Sequence, residues 1–376
     1  MKEYLKSVLK HWGLPRRVSA VLRMVPTLRK RVQQIPIRGL PPGLSRMQFA
    51  RAVDGVLEDP LQRVVHRHIS HWKEKGAYRI TAHGTSGIIK SLIFKDADYR
   101  DDDLPALRDL CIRPGPPEYQ IYAHCSKQLR EYVPHVYHCA CLRTGRRYHF
   151  LLEDEPLSHA GPKDLRAVVS ELPKLHRSLK RAVALPEVDE SKLIDYGLDF
   201  KKRLPTYAIR GIAEFAAATD NTAARLICDE WSGIESVYSQ HVDEHRDRMR
   251  PIHGDANLSN VLTSSDGEEV KFIDWEWAGI GLPQWDLASV LKSKSVDDET
   301  EEELVGRYYE NSTNSSLSRS DNLFLFRLCK LEQAMLGASF LIRQFRWGPT
   351  ISGENFRTMI ESALRRLAKT YRSIRK

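Results

Sequence analysis

The stretch from Pro251 to Val290, PIHGDANLSNVLTSSDGEEVKFIDWEWAGIGLPQWDLASV, constrains this chain more than any other. Asp255 follows His253 and Gly254, and Asn260 comes five residues later, immediately before the apolar pair Val261 and Leu262. A tight loop leading into a strand fits that order. Ser265, Asp266 and Gly267 then give a turn signal before the short apolar run Val270 to Ile273. The spacing predicts a hairpin whose second strand ends at Asp274. Taken singly, Asp and Asn are ordinary turn formers. The ordered set carries the signal.

Two carboxylates and an amide on one hairpin suit phosphoryl transfer. That reaction needs in-line placement, a carboxylate to orient or deprotonate the attacking hydroxyl, and oxygen ligands that hold magnesium against the phosphates. Asp255 fits the base, and Asn260 and Asp274 fit the Mg2+ ligands, because magnesium takes a few hard protein oxygens and completes its shell with water and phosphate. The same division of labour occurs in the catalytic loop and metal-binding aspartate of protein kinases.

In its ordered motifs the stretch resembles the aminoglycoside phosphotransferase and choline kinase superfamily. The family pattern HGDxxxxN is met by His253, Gly254, Asp255 and Asn260, and IDWE by Ile273, Asp274, Trp275 and Glu276. A Gly-Pro turn follows at Gly281 and Pro283, and then Asp286-Leu287-Ala288. The resemblance implies an α+β, bilobal, protein-kinase-like fold: a small N-lobe with an antiparallel sheet, and a larger, mainly helical C-lobe. It also implies a bracing rather than chemical part for His253, and for Asp286 a hydrogen bond that holds the catalytic loop.

Charge separates the ends of the chain from its body. The net charge is +9, yet residues 1–38 alone carry ten Lys and Arg against the single acid Glu3. The remaining 338 residues hold 48 basic and 48 acidic side chains. A neutral body argues against nucleic acid as the partner. Leu5, Val8, Leu9 and Trp12, and again Val18, Val21, Leu22 and Val25, fall on helical faces among those cations. Such basic amphipathic segments lie on anionic membrane surfaces, dock partners or direct proteins to organelles. No run approaches the length of a membrane-spanning helix, and six cysteines without regular spacing give no disulfide framework or zinc site. The expectation is a cytoplasmic protein, with residues 1–38 open between a peripheral contact with an anionic membrane surface, a targeting segment and a solvated or packed extension.

The chain divides on this reading into a basic extension and linker (1–45), an N-lobe (46–155) and a helical C-lobe (156–376). Leu61, Val64, Val65, Ile69 and Trp72 have helical spacing. Tyr78 to Ala82 and Ile88 to Phe94 read as strands flanking Gly84, Thr85, Ser86 and Gly87, a turn whose backbone amides and hydroxyls could lie over phosphates. A lysine on the third strand, held by a helical glutamate, is expected to meet the nucleotide. Lys95 is the candidate and Glu118 its partner; if Ile88 to Phe94 is the second strand, the third falls near 106–112, with Arg108 or Arg113 in place of the lysine. Pro134 to Cys141 and Tyr148 to Leu152 read as the next strands, and Glu153, Asp154 and Glu155 as a hinge whose backbone meets adenine. Helices are expected over Leu193 to Ala218, Thr222 to Tyr238, Thr300 to Tyr309, Leu323 to Phe345 and Phe356 to Ile374. The acidic run from Asp297 to Glu303 reads as a helix start, where carboxylates complement the dipole.

A protein kinase places an activation segment and an APE motif after the metal-binding aspartate. Here eleven residues separate Asp274 from Asp286 and no APE occurs. The expected activity is transfer of the terminal phosphate of ATP or GTP, with Mg2+, to a hydroxyl of a small molecule such as an antibiotic, sugar or amino alcohol. The alternatives are a lipid-linked or glycolipid acceptor at a membrane surface, and a nucleotide-binding scaffold with weak catalysis.

Overall fold

A computed structural model describes residues 40–45, 48–49, 62–69, 76–84, 87–98, 110, 116–142, 147–241, 245–292, 296–312, 318–347 and 353–375. The basic extension, Thr85, Ser86, Arg108 and Arg113 lie outside the described residues. The chain forms two compact units, one of residues 1–98 and 136–154, the other of 99–135 and 155–376. The stretch 99–135, grouped with the sheet on sequence, therefore belongs to the helical unit, where the Phe272 N–H donates to Tyr132 O at 2.7 Å.

The first unit is a five-stranded antiparallel sheet of β1 (Arg63–His68), β2 (Gly76–Gly84), β3 (Gly87–Asp98), β4 (Val136–Cys141) and β5 (Arg147–Glu153), in the order β1-β2-β3-β5-β4. Val64, Ile80, Ala82, Leu92, Phe94 and Leu151 form its core with Leu44 and Phe49 from the segment before the sheet. Period-two alternation accounts for Ile80 with Ala82 and for Leu92 with Phe94. The helix expected around residues 61–72 is instead strand β1: its apolar spacing is helix-like, but the β-branched pair Val64-Val65 takes up register with Ala82 and Thr81. Only Val64 of β1 is buried. With β1 in place, Gly87–Asp98 is the third strand rather than the second.

The second unit opens with the short helix α1 (Pro117–Gln120), which runs into a π-helical turn at Ile121–Cys125. Strand β6 (Ser158–His159) and helix α2 (Leu165–Val183) follow, then β7 (Ile194–Asp195), α3 (Leu198–Thr219) and α4 (Thr222–His241). Next come β8 (Arg250–Ile252), β9 (Val261–Thr263), β10 (Val270–Phe272) and β11 (Gly279–Gly281). Helices α5 (Gln284–Val290), α6 (Asp298–Glu310), α7 (Arg319–Trp347) and α8 (Gly353–Arg375) complete it. Asp297 caps α6, its side chain accepting from Thr300 N at 2.7 Å, as the acidic run predicts. Helix α7 packs on α3, α5 and α8. Inside this bundle Lys201 pairs with Glu332 at 3.0 Å, and Tyr238 Oη–H donates to the same carboxylate at 2.9 Å. A buried pair satisfied this way fixes how three helices dock.

Two small sheets build the site. Strands β10, β9 and β6 form one, and β7, β11 and β8 the other. Val261 opposes Phe272 and Thr263 opposes Val270, so β9 and β10 make the hairpin expected from the sequence.

Candidate active site

The loop after β8 turns through Gly254, whose φ is +83°. A Cβ there would overlap Trp277 O and stand 2.8 Å from Tyr196 Oη, so only glycine fits this backbone. The surroundings hold the turn closely. Trp285 Nε1–H donates to Gly254 O at 2.8 Å, and Tyr196 Oη–H donates to Trp277 O at 2.9 Å.

Asp286 anchors the loop from α5. The side chain is fully buried, and its carboxylate accepts from His253 N at 2.7 Å and Gly254 N at 2.8 Å. The His176 ring from α2 also meets it, Nε2 lying 3.0 Å from Oδ2, while His176 Nδ1 lies 2.8 Å from Tyr308 Oη. His253 is likewise buried; Asp255 N donates to its Nδ1 at 3.3 Å, leaving Nε2–H to donate to Ile273 O at 3.0 Å. Burial holds its pKa below the usual imidazole range, so the ring is neutral with one fixed tautomer. His253 and Asp286 thus brace the loop by direct contact. In Asp286→Asn one carboxylate oxygen becomes an NH2 group facing a backbone N–H. The expected result is a loss of about 2–4 kcal/mol of stability, read from urea denaturation, and unchanged stability would deny Asp286 its anchoring part.

Asp255, Asn260 and Asp274, the candidate groups, stand at the open end of the hairpin. Asn260 Nδ2 donates to Asp255 Oδ2 at 2.9 Å and to Asp255 O at 3.0 Å, and Asn257 Nδ2 donates to Asp255 Oδ1 at 2.9 Å. Both Asn260 amide hydrogens face Asp255, so its Oδ1 is turned away from that carboxylate. Ile273 N donates to Asn260 O at 2.9 Å, which brings Asp274, the next residue, beside Asn260. Asp274 adopts the left-handed conformation at φ +64°, uncommon outside glycine, at the head of the 3-10 turn Trp275–Trp277. Burial, countered by the Asn257 bond and Lys292 and reinforced by Asp274 and Glu276, raises the Asp255 pKa to about 6. A carboxyl poised near neutrality suits a general base. Asn257 and Tyr308 had no sequence signal of their own, although Asn257 stands two residues from Asp255.

The remaining candidates divide between the units. Lys95 lies on the third strand, opposite Phe150 of β5 and on the sheet face away from Leu92 and Phe94. The alternative at 106–112 is therefore unnecessary. Lys90, on the other face, pairs with Glu153, and its ammonium stands 5.1 Å from the Tyr137 ring centroid. Gly84 and Gly87 face one another across the turn between β2 and β3, a hairpin one place later in the sheet than the sequence reading put it. Glu118 is buried in α1 within the helical unit. Beyond β5, Asp154 pairs with Arg79 at 2.7 Å and Glu155 with Lys271 at 2.7 Å. Those carboxylates and that of Glu153 are engaged by protein cations. Among the described residues no helix is long and apolar enough to cross a membrane.

Residues 112–316, more than half of the chain, match the model of the phosphotransferase enzyme family, APH. The chain belongs to that family. Protein LicA of Haemophilus influenzae is 30% identical over 82 residues, which is 22% of this chain and 23% of LicA. The match thus spans under a quarter of that curated relative. The GDP complex of aminoglycoside 2'-phosphotransferase-IIIa is 13% identical, covering 86% of this chain and 97% of that one with a TM-score of 0.53. Choline kinase from Cryptosporidium parvum Iowa II is 11% identical, covering 93% and 95% respectively with a TM-score of 0.56. At such identities the likeness is one of fold. The α+β, kinase-like fold expected from the motifs is the one these structures share.

Proposed function

We propose that the chain transfers the terminal phosphoryl group of ATP or GTP to a hydroxyl of a small molecule. The observation that supports this best is the meeting of Asp255, Asn260 and Asp274 at one end of the β9–β10 hairpin in a member of this family. As the acceptor oxygen bonds to the terminal phosphorus, Asp255 takes its proton. The bond from phosphorus to the bridging oxygen breaks, and the nucleoside diphosphate leaves. Asn257 and Asn260 hold the Asp255 carboxylate in place for that transfer.

The Asn260 amide oxygen and the Asp274 carboxylate are the groups that would hold Mg2+. They fit it, being hard oxygens few enough to leave room for water and phosphate. Among the described residues no group of three or more His, Cys, Asp or Glu side chains is placed to hold a metal ion; a magnesium site completed by phosphate needs none. Bound magnesium neutralises charge on the phosphate oxygens. Lys95 is assigned to the same phosphates from its place on the third strand, and Glu118 to the support of that lysine. For Gly84, Gly87, Glu153 and Glu155 the reading keeps only backbone contacts with the nucleotide.

Asp274→Ala tests the assignment. The variant is expected to lose the magnesium dependence of its thermal stabilisation by ATP, which the parent chain should display. An unaltered magnesium response would remove Asp274 from the ligand set.

A further inference from the structure

Helices α6 and α7 leave a cavity of about 390 Å³ between them. Glu303, Gly306, Arg307 and Glu310 of α6 line one side, at the i, i+3, i+4 and i+7 spacing of a single helical face. Arg319 and Asn322, three positions apart in the first turn of α7, line the other. Tyr309 joins the two walls, its Oη–H donating to Asn322 O at 3.4 Å. The volume is far above the roughly 10–15 Å³ that one water needs. It lies within the range of about 300–1,000 Å³ found for small-molecule pockets. Neither Asp255 nor the amides bonded to it are among the lining residues.

Two of these side chains keep a buried polar atom without a hydrogen bond: Arg307 at the donor Nε and Asn322 at the acceptor Oδ1. Asn322 is only 2% exposed. Nearly all buried polar atoms in folded chains are paired, so a donor and an acceptor left over on the walls of one cavity call for a ligand with the complementary pair. Charge adds a second criterion. The Arg319 guanidinium reaches across to α6, where a Cβ on Gly306 would stand 3.8 Å from its Nη2. Glu310 follows one turn further along the same face. Neither Arg319 nor Glu310 forms an ion pair or side-chain hydrogen bond among the described residues. Glu303, by contrast, is engaged by Arg166 at 2.9 Å and by Arg307 at 3.8 Å. The walls therefore present one uncommitted cation and one uncommitted carboxylate.

We propose that this cavity binds a small zwitterion, an α-amino acid, apart from the catalytic loop. Its carboxylate would accept from Arg319 and from Arg307 Nε–H, and its ammonium would donate to Asn322 Oδ1 and Glu310. Both ends then make charge-assisted bonds. A plain carboxylic acid would leave Asn322 Oδ1 without a donor and meet repulsion from Glu310. A plain amine would meet repulsion from Arg307 and Arg319. Binding here does not depend on the phosphotransferase reading above.

The test is isothermal titration of the full chain, without nucleotide, against each of the common amino acids, with lactate, succinate, ethanolamine and inorganic phosphate as controls. Saturable binding of at least one amino acid is expected, and none of the controls should match it. Arg319→Ala and Glu310→Gln should each weaken that binding about 10-fold, the loss of one charge-assisted contact. Both residues are exposed, and a melting curve of each variant shows that it folds. Asp255→Asn should leave the affinity within about twofold, as for independent sites. Binding of no amino acid, or of a control as tightly as any amino acid, overturns the zwitterion assignment. An affinity indifferent to both Arg319→Ala and Glu310→Gln, or lowered by Asp255→Asn, puts the ligand elsewhere and overturns the site.

Discussion

Asp255→Asn is expected to reduce turnover about 10²- to 10⁴-fold, the range for loss of a positioned general base, while ATP still raises the melting temperature in the presence of magnesium. The replacement keeps the size of the side chain and one acceptor oxygen, but its NH2 group faces one of the two donating amides, Asn257 or Asn260, so a melting curve of the variant accompanies the assay. The pH dependence gives a second reading of the same residue. With the Asp255 pKa raised to about 6, the free protein holds the base protonated below that pH. The acid limb of kcat/KM should therefore have its midpoint near 6, with activity rising as pH rises through it. Stability runs the other way. Between the ordinary aspartate range, about 4, and 6 the folded chain binds a proton that the unfolded chain has released. Raising the pH through this window then weakens the fold. Asp255→Asn should flatten that slope. Near-normal turnover in the variant, or an acid limb centred near 4, would take Asp255 out of the base role.

Gly254→Ala is expected to be the most destabilising single-methyl change in the chain, above about 4 kcal/mol and large enough to abolish soluble expression. Two effects add there. An alanine at φ +83° carries the left-handed penalty of about 1–2 kcal/mol, and its methyl would overlap the Trp277 carbonyl, which the Tyr196 hydroxyl holds in place. Gly267 separates them. Its φ is +76°, but a Cβ there would find its nearest neighbour, Ala167 Cβ, at an ordinary 3.5 Å. Gly267→Ala should thus cost only the backbone penalty, about 1–2 kcal/mol, and leave activity in place. Equal losses from the two substitutions, measured by chemical denaturation, would deny the close approach around the catalytic loop.

Local patterns were easiest to read where the chain makes its own contacts. The β9–β10 hairpin has its turn residues, apolar strands and terminal Asp274 within about a dozen positions, and it forms as an antiparallel pair with Val261 opposite Phe272. Helix α6 likewise starts at Asp297, where a capping side chain and a run of acids coincide. The stretch around Val64 misled because the spacing of a few apolar residues is shared by helices and strands. Only pairing with β2 settles it, and that pairing also fixes the rank of β3 and so the standing of Lys95. The same holds for Leu44, which the sequence places in the linker and which lies with Phe49 in the core of the sheet.

What the sequence by itself determined was the chemistry available: a base, an amide and a second acid at spacings that a short hairpin brings together, and the family those motifs resemble. Local hydrogen bonds and turn geometry suffice for that. What only the tertiary structure decided was everything held across long loops. Asp286 reaches back over 33 positions to His253 N, His176 and Tyr308 meet from helices 132 positions apart, and Lys201 pairs with Glu332 from another helix. Side-chain type fixes what such groups could bond to, but their meeting depends on how buried helices pack, and no local spacing encodes that.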